Sequence, residues 1–190
     1  MNGYVKIALI SSALTFFSVL REIDRPLYPI KMSLDSNIKR IFWRWLHWNI
    51  IIFASLFVLF FKAKKFDKNI AFYYSIMTIT ILHWYSSFCM ISLLETKHYD
   101  IDPSTIKSNN VPHIKSLFFD NYRIITNVFY FSGILNFLYI TFYTKNINKF
   151  IKYGFLSIFL FAFFHTYLLT KTTLYEKNLL YKCIMANPFI

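Results

Sequence analysis

The most constraining feature of this sequence is the stretch Ile41–Phe61, which reads IFWRWLHWNIIIFASLFVLFF. At about 1.5 Å of rise per residue, twenty or so apolar residues in a helix cross the roughly 30 Å hydrocarbon layer of a bilayer. The second half is apolar apart from one serine, whereas the first half contains Arg44, His47 and Asn49 among three tryptophans. An ionisable side chain inside a span is energetically expensive and marks a functional site by default. The sequence therefore predicts a membrane-spanning helix that carries part of a site at one end.

Four further apolar segments accompany this stretch, and no strand-like alternation of polar and apolar residues competes with them. Backbone groups in lipid must be hydrogen-bonded within their own segment, so each segment is predicted to be a helix. Only 16% of the residues are charged, against roughly 25% in soluble domains. We expect an all-α polytopic transmembrane helix bundle of about five spans, forming a single domain over residues 1–190. The predicted spans are Tyr4–Leu20, Ile41–Phe61, Ile70–Leu94, Ile124–Tyr143 and Phe150–Thr170.

The chain is basic, with 21 Lys and Arg against 9 Asp and Glu. These cations lie between the apolar segments rather than along one solvated face, which argues against a nucleic-acid partner and is typical of membrane topology. Two short connectors, Lys62–Lys68 and Thr144–Lys152, together hold seven lysines and one acid. Because cytoplasmic loops are enriched in Lys and Arg, both connectors and the N-terminus are predicted to face the cytoplasm.

Three histidines fall inside predicted spans, and this topology places them in the same half of the membrane: His47, His83 and His165. Buried imidazoles need partners, so we predict that they line one pocket with Asn49 and with Ser87, which lies one helical turn after His83. Three alternatives stay open for these histidines. They can bond carbonyls or hydroxyls across helix interfaces, form a nucleophile–base pair with the serine, or bind zinc, although no two of them have the spacing of a helical zinc motif.

Four short motifs follow one another in a characteristic order. Trp43–Asn49, reading WRWLHWN, opens the second span with an aromatic–basic–aromatic–Leu lead. Thr96–Pro103, reading TKHYDIDP, is an acidic loop that ends in proline after the third span, and Val111-Pro112 precedes the fourth. Tyr167–Tyr175, reading YLLTKTTLY, is an aromatic-rich exit from the fifth. In this order of features the chain resembles the androgen-induced membrane hydrolase family over most of its length.

The resemblance implies a multi-pass lipid hydrolase that cleaves fatty acid esters of hydroxy fatty acids with a membrane-embedded Thr nucleophile and a His. This sequence departs from the family at both positions. His47 stands where the family has its Thr. The segment 116–122, around the family's His, contains no histidine, and His113 is near but out of register. The resemblance therefore implies a protein of the endoplasmic reticulum or another endomembrane whose catalytic pair is lost or rebuilt.

We expect a lipid-binding pocket in which His47 acts as base or nucleophile in hydrolysis of a fatty-acyl ester, oriented by His83 or His165. The alternatives are a non-catalytic lipid-binding or assembly subunit and a zinc-dependent lipid hydrolase. The expected partners are membrane lipids and a lipid-ester substrate, with no nucleic acid, no cofactor and no bound metal in the preferred interpretation. Cys89 and Cys183 are too few for a disulfide framework or a metal cluster, so neither receives a role.

Overall fold

The computed structural model describes residues 1–31, 33–85, 89–101 and 112–169, the side chains of 81–85 and 162–169 excepted. Within these ranges every regular secondary-structure element is a helix, which confirms the predicted all-α class. The helices are α1 (Gly3–Asp24), α2 (Leu34–Phe60), α3 (Lys68–Tyr85), α4 (Met90–Thr96), α5 (Pro112–Phe118), α6 (Tyr122–Tyr143) and α7 (Lys149–Leu169), with a 3₁₀ turn at Phe119–Asn121 between α5 and α6.

Three stretches of the described residues are long and apolar enough to cross a membrane: Gly3–Asp24, Leu34–Phe60 and Pro112–Tyr143. This finding supports the membrane class of protein, because a soluble domain rarely has three such helices. The expected total of about five spans is not confirmed, since only three helical stretches of the described chain meet the length and hydropathy required.

The predicted span Ile70–Leu94 is not a single helix, and this expectation was wrong. The structure ends α3 at Tyr85 and begins α4 at Met90. Between them Cys89 has an extended backbone, with φ −88° and ψ 111°. A residue in this conformation cannot continue the helical hydrogen-bond ladder, so an unbroken apolar run is divided into two helices.

The central helix of the bundle is α2, which packs against α1, α3, α4, α5 and α6. Its side chains at four-residue intervals, Arg44, Trp48 and Ile52, are all buried because they share one face of the helix. Large apolar side chains on the outer faces of the bundle are exposed, among them Phe16 of α1 and Phe131 of α6. Contiguous apolar surface of this kind is suited to contact with lipid chains rather than water.

A kink in α2 is stabilised by a side chain from α6. Leu56 has non-helical angles of φ −120° and ψ 16°, which open the backbone ladder around it. Asn136 closes the opening from α6, since its amide donates to the carbonyl of Ser55 at 2.5 Å and its oxygen accepts from the N–H of Val58 at 3.2 Å. The kink thus follows from a side chain inserted into the ladder, a recognised cause of helix bending.

The connectors meet at the two ends of α2, which are separated by about 40 Å of helix. At the C-terminal end of α2 the N–H of Phe66 donates to the carbonyl of Lys145 at 3.2 Å, and the N–H of Lys145 donates to Lys64 at 3.0 Å. At the other end the N–H of Asp100 donates to the carbonyl of Pro29 at 2.7 Å. The two lysine-rich connectors therefore lie at the same end of the bundle, as the predicted topology requires.

Candidate functional site

The candidate site is built on one face of α2, in its N-terminal half. Arg40, Arg44, His47 and Trp48 follow the i, i+4, i+7, i+8 pattern of a single helical face, and all four are buried. Two guanidinium groups and an imidazole on the buried face of an apolar helix need partners from neighbouring helices.

Arg44 is fully buried and joins α2 to α1 and α4. Its Nε and Nη2 atoms lie 2.8 and 2.7 Å from Oε1 of Glu95 on α4. Its Nη1 atom lies 3.0 Å from Oε2 of Glu22 on α1 and 3.3 Å from the hydroxyl of Ser18. A buried charge is tolerated when it is both paired and hydrogen-bonded, and Arg44 meets both conditions.

Two more side chains complete this arrangement around Glu22. Arg40 pairs with Oε2 of Glu22, and the hydroxyl of Tyr99 donates to Oε1. The same hydroxyl accepts from Nη2 of Arg44 at 2.5 Å. Burial raises the pKa of Tyr99 well above its ordinary value, with Arg44 acting in the opposite direction, so the hydroxyl stays protonated and able to donate. We call the set of two arginines, two glutamates and one tyrosine the ion network: Glu22, Arg40, Arg44, Glu95 and Tyr99.

His47 lies next to the ion network and contacts a thiol and a hydroxyl. Its Nε2 atom is 3.3 Å from Sγ of Cys89, and its Nδ1 atom is 3.5 Å from Oγ of Ser92. Both contacts are satisfied by one tautomer, in which Nδ1–H donates to the hydroxyl and the Nε2 lone pair accepts from the thiol. His47 is 6% exposed and Cys89 is half-buried, so the cysteine is the more accessible of the two residues.

His113 of α5 packs directly on His47, with ring centroids 3.9 Å apart. The rings of His113 and Trp48 are also in T-shaped contact, with centroids 5.1 Å apart. Nδ1 of His113 is 3.7 Å from Oε2 of Glu95, which is too long for a hydrogen bond. We call this second set the imidazole cluster: His47, Cys89, Ser92, Glu95 and His113.

The short helices α4 and α5 present these groups for local reasons. Cys89 is the N-cap of α4, and Ser92 and Glu95 follow at three-residue intervals, which keeps the three side chains near one face. His113 stands in the first turn of α5, directly after Pro112. Proline suits the first position of a helix because its φ is preset and no N–H is required there.

An apolar groove of about 480 Å³ runs between α1 and α2, on a face of α2 adjacent to the ion network. The hydroxyl of Ser12 accepts from the indole N–H of Trp45 at 3.0 Å beside it. The groove is lined by Ser12, Thr15, Phe16, Val19, Ile38, Ile41, Phe42 and Trp45. Its size falls within the range of sites that bind small apolar molecules.

The structure places the predicted site residues as follows. His47 is at the centre of the imidazole cluster, whereas the amide of Asn49 donates to the carbonyl of Trp45 on its own helix at 2.8 Å. His83 is on α3 and His165 is on α7, but their side chains lie outside the described residues. Ser87 lies outside the described residues altogether. The predicted pocket that joins these side chains to His47 therefore remains a prediction.

Sequence reasoning missed the partners of Arg44 and His47, namely Glu22 and Glu95 for the arginine and Cys89, Ser92 and His113 for the imidazole. One signal was available: a buried arginine in a span requires an acidic partner, and Glu22 and Glu95 stand at the ends of apolar runs. No signal in the sequence pointed to His113, which is out of register with the histidine of the androgen-induced hydrolases.

No protein-family model matches this chain, and comparisons with curated proteins and with solved structures find no match either. The site is therefore interpreted from its own geometry. Over its described residues the chain is all-helical, with three helical stretches long and apolar enough to span a membrane, and a thiol, two imidazoles and a carboxylate meet beside a buried ion network.

Proposed function

We propose that this chain is an integral membrane hydrolase that cleaves the ester bond of a fatty-acyl lipid, with Cys89 as nucleophile and His47 as general base. The observation that carries the proposal is the distance of 3.3 Å between Sγ of Cys89 and Nε2 of His47. A nucleophile within hydrogen-bond reach of a base, with the base oriented by a third group, is the general signature of covalent catalysis. Ser92 is that third group, since it contacts Nδ1 of His47.

The reaction proceeds in two steps that share the same base. Sγ of Cys89 attacks the acyl carbonyl while its proton passes to Nε2 of His47, and the imidazolium then protonates the departing alkoxide. The product of this step is a thioester on Cys89 and a free alcohol. His47 next removes a proton from water, the hydroxide attacks the thioester, and the proton returns to the sulfur as the fatty acid leaves.

One feature of the site favours charge separation in this reaction. A carboxylate oxygen of Glu95 lies within 4.8 Å of a ring nitrogen of His47, so it stabilises the imidazolium across a medium of low dielectric constant.

A lipid substrate is supported by the surroundings of the site. The site lies on a helix that is long and apolar enough to span a membrane, in a bundle with large apolar side chains on its exterior. The resemblance to the androgen-induced membrane hydrolases adds to this argument. His47 occupies that family's nucleophile position, and His113 packs against it although it is out of register in the sequence. The family's pair would then be rebuilt here with the thiol of Cys89 as nucleophile.

An orientation follows from the same proposal. The two lysine-rich connectors lie together at one end of the bundle, so they and the N-terminus face the cytoplasm by the positive-inside rule. The imidazole cluster then belongs to the opposite half of the membrane, in the endoplasmic reticulum or another endomembrane.

The test is ester turnover by the full chain in lipid nanodiscs, with fluorogenic fatty-acyl esters of several chain lengths. His47→Gln should lower turnover by roughly 10²–10⁴-fold, the usual contribution of a positioned acid–base group. Cys89→Ala removes the nucleophile and should lower turnover at least as much. Substrate should also leave a hydroxylamine-sensitive acyl group on Cys89, detected by mass spectrometry of the digested protein.

The matched control is Cys183→Ser, which removes the other cysteine and should leave turnover unchanged. Normal turnover in Cys89→Ala, or an acyl group on Cys183 instead of Cys89, would show that the nucleophile is wrongly assigned.

The second candidate function is a non-catalytic lipid-binding or assembly subunit. The observation in its favour is the ion network, which joins α1, α2 and α4 through paired charges and so has a structural role without any substrate. Absence of both ester turnover and acylated Cys89, in protein that is folded by thermal-shift measurement, would favour this candidate.

A further inference from the structure

Two residues of the imidazole cluster, Glu95 and His113, take no part in the contact between Cys89 and His47. Oε2 of Glu95 and both ring nitrogens of His113 have no hydrogen-bond partner within the described part of the chain, although both residues are fully buried. A buried polar group without a partner is costly, and native proteins have few of them. Oε2 of Glu95 lies 3.7 Å from Nδ1 of His113. A neutral imidazole has one lone pair and one N–H, so the two residues offer one oxygen and one ring nitrogen to a ligand that accepts lone pairs.

The geometry of these atoms is that of a metal site. One donor atom from each of His47, Glu95 and His113 lies within 4.8 Å of the other two. Arg44 holds Oε1 of Glu95 at 2.7 Å, which leaves Oε2 directed towards His113 at 3.7 Å. Two imidazole nitrogens and one carboxylate oxygen form a common zinc set, with bonds of about 2.0–2.2 Å and a fourth position open to water. Zinc binding requires the three side chains to rotate so that the donors, which lie within 4.8 Å of one another, reach those distances.

We propose that His47, Glu95 and His113 bind one zinc ion, and that this ion inhibits the hydrolase. The binding stands by itself, whereas the inhibition rests on the proposed function. A neutral imidazole has one basic nitrogen, and its other nitrogen carries the proton. If zinc takes Nε2 of His47, the thiol loses its base directly. If zinc takes Nδ1, Nε2 carries the proton and cannot accept another from Cys89.

The positive charge of the zinc ion should make its binding at this site reversible. The ion network is balanced, with two arginines against two glutamates, so zinc brings charge that the buried residues do not offset. Arg44, which contacts the ligand Glu95, opposes the ion most directly. A hydroxide in the fourth position removes half of the added charge, because zinc lowers the pKa of bound water to about 7. Zinc should therefore bind more weakly than in structural sites and leave when a chelator is added.

The binding is tested by titrating the metal-free full chain in nanodiscs with zinc chloride, with stoichiometry from elemental analysis and affinity from competition with a chelator. One zinc per chain is expected. Glu95→Gln and His113→Gln should each weaken the affinity by roughly 100-fold or more, above the losses typical of altered outer-shell partners. No saturable binding, or unchanged affinity in both variants, would overturn the proposal.

The matched controls are His83→Gln and His165→Gln, because the alternative zinc set drawn from the sequence includes both residues. Their zinc affinity should equal that of the unaltered chain, and dependence on either residue would overturn the assigned ligands. X-ray absorption at the zinc edge is measured on the unaltered chain, so the result does not depend on whether a variant folds. It should show two imidazoles and one carboxylate at about 2.0–2.2 Å. A sulfur ligand, or a single imidazole, would contradict the proposal.

The inhibition is tested on the same preparations by ester turnover with and without zinc. Turnover should fall as the site fills, with the same midpoint as binding, and should return when the chelator is added. One zinc per chain in a protein that shows no turnover even after the chelator has removed the metal would refute the proposed function and leave the metal site intact. Turnover that is unchanged when zinc fills the site would refute the inhibition and leave the hydrolase intact.

Discussion

Replacement of Arg44 by Met is the sharpest test of the buried ion network. Among the described residues, Glu95 pairs with one arginine, Arg44. Glu22 pairs with two, Arg40 and Arg44. Arg44→Met therefore leaves the Glu95 carboxylate buried and uncompensated. Removing one partner of a buried pair costs about 3–5 kcal/mol of unfolding free energy. For a chain of this size each kcal/mol corresponds to about 2–4 °C, so the melting temperature should fall by roughly 6–20 °C.

The assay is a thermal unfolding scan of detergent-solubilised protein, followed by tryptophan fluorescence. The matched control is Arg123→Met, because Arg123 is an exposed arginine on α6, and surface substitutions usually stay within about 0.5 kcal/mol. The double variant Arg44→Met/Glu95→Gln should recover a large part of the loss, since it removes the stranded charge. Equal melting temperatures for Arg44→Met and Arg123→Met, or a double variant less stable than Arg44→Met alone, would refute the reasoning.

Two further predictions follow from the fold. Asn136→Leu should destabilise the protein by roughly 1–3 kcal/mol for each backbone group left unpaired at the kink of α2. The control Asn127→Leu, at an exposed position on α6, should not destabilise it. Equal unfolding curves for the two variants would show that Asn136 does not stabilise the kink. In sealed endomembrane vesicles, Lys64→Cys should react with an impermeant maleimide from the cytoplasmic side and Asp100→Cys only after the vesicles are opened. The reverse pattern would invert the proposed orientation.

The helical class of this protein was predictable because lipid leaves the backbone few alternatives. Long apolar runs such as Ile41–Phe61 must satisfy their own hydrogen bonds, so helix follows from composition and length. The division of Ile70–Leu94 was not predictable in the same way. An apolar run contains no signal for the extended backbone at Cys89, directly before α4, which packs against α2.

The sequence by itself also determined that a site lies at the N-terminal half of α2, since Arg44 and His47 cannot be buried without partners. It did not determine the partners, because position along a helix gives depth but not the direction in which a side chain points. Only the tertiary structure places Glu95 against Arg44 and His113 against His47, from helices more than forty residues away in the chain. The physical reason is that short helices such as α4 and α5 take their orientation from the surfaces on which they pack, and that information is spread over the whole bundle.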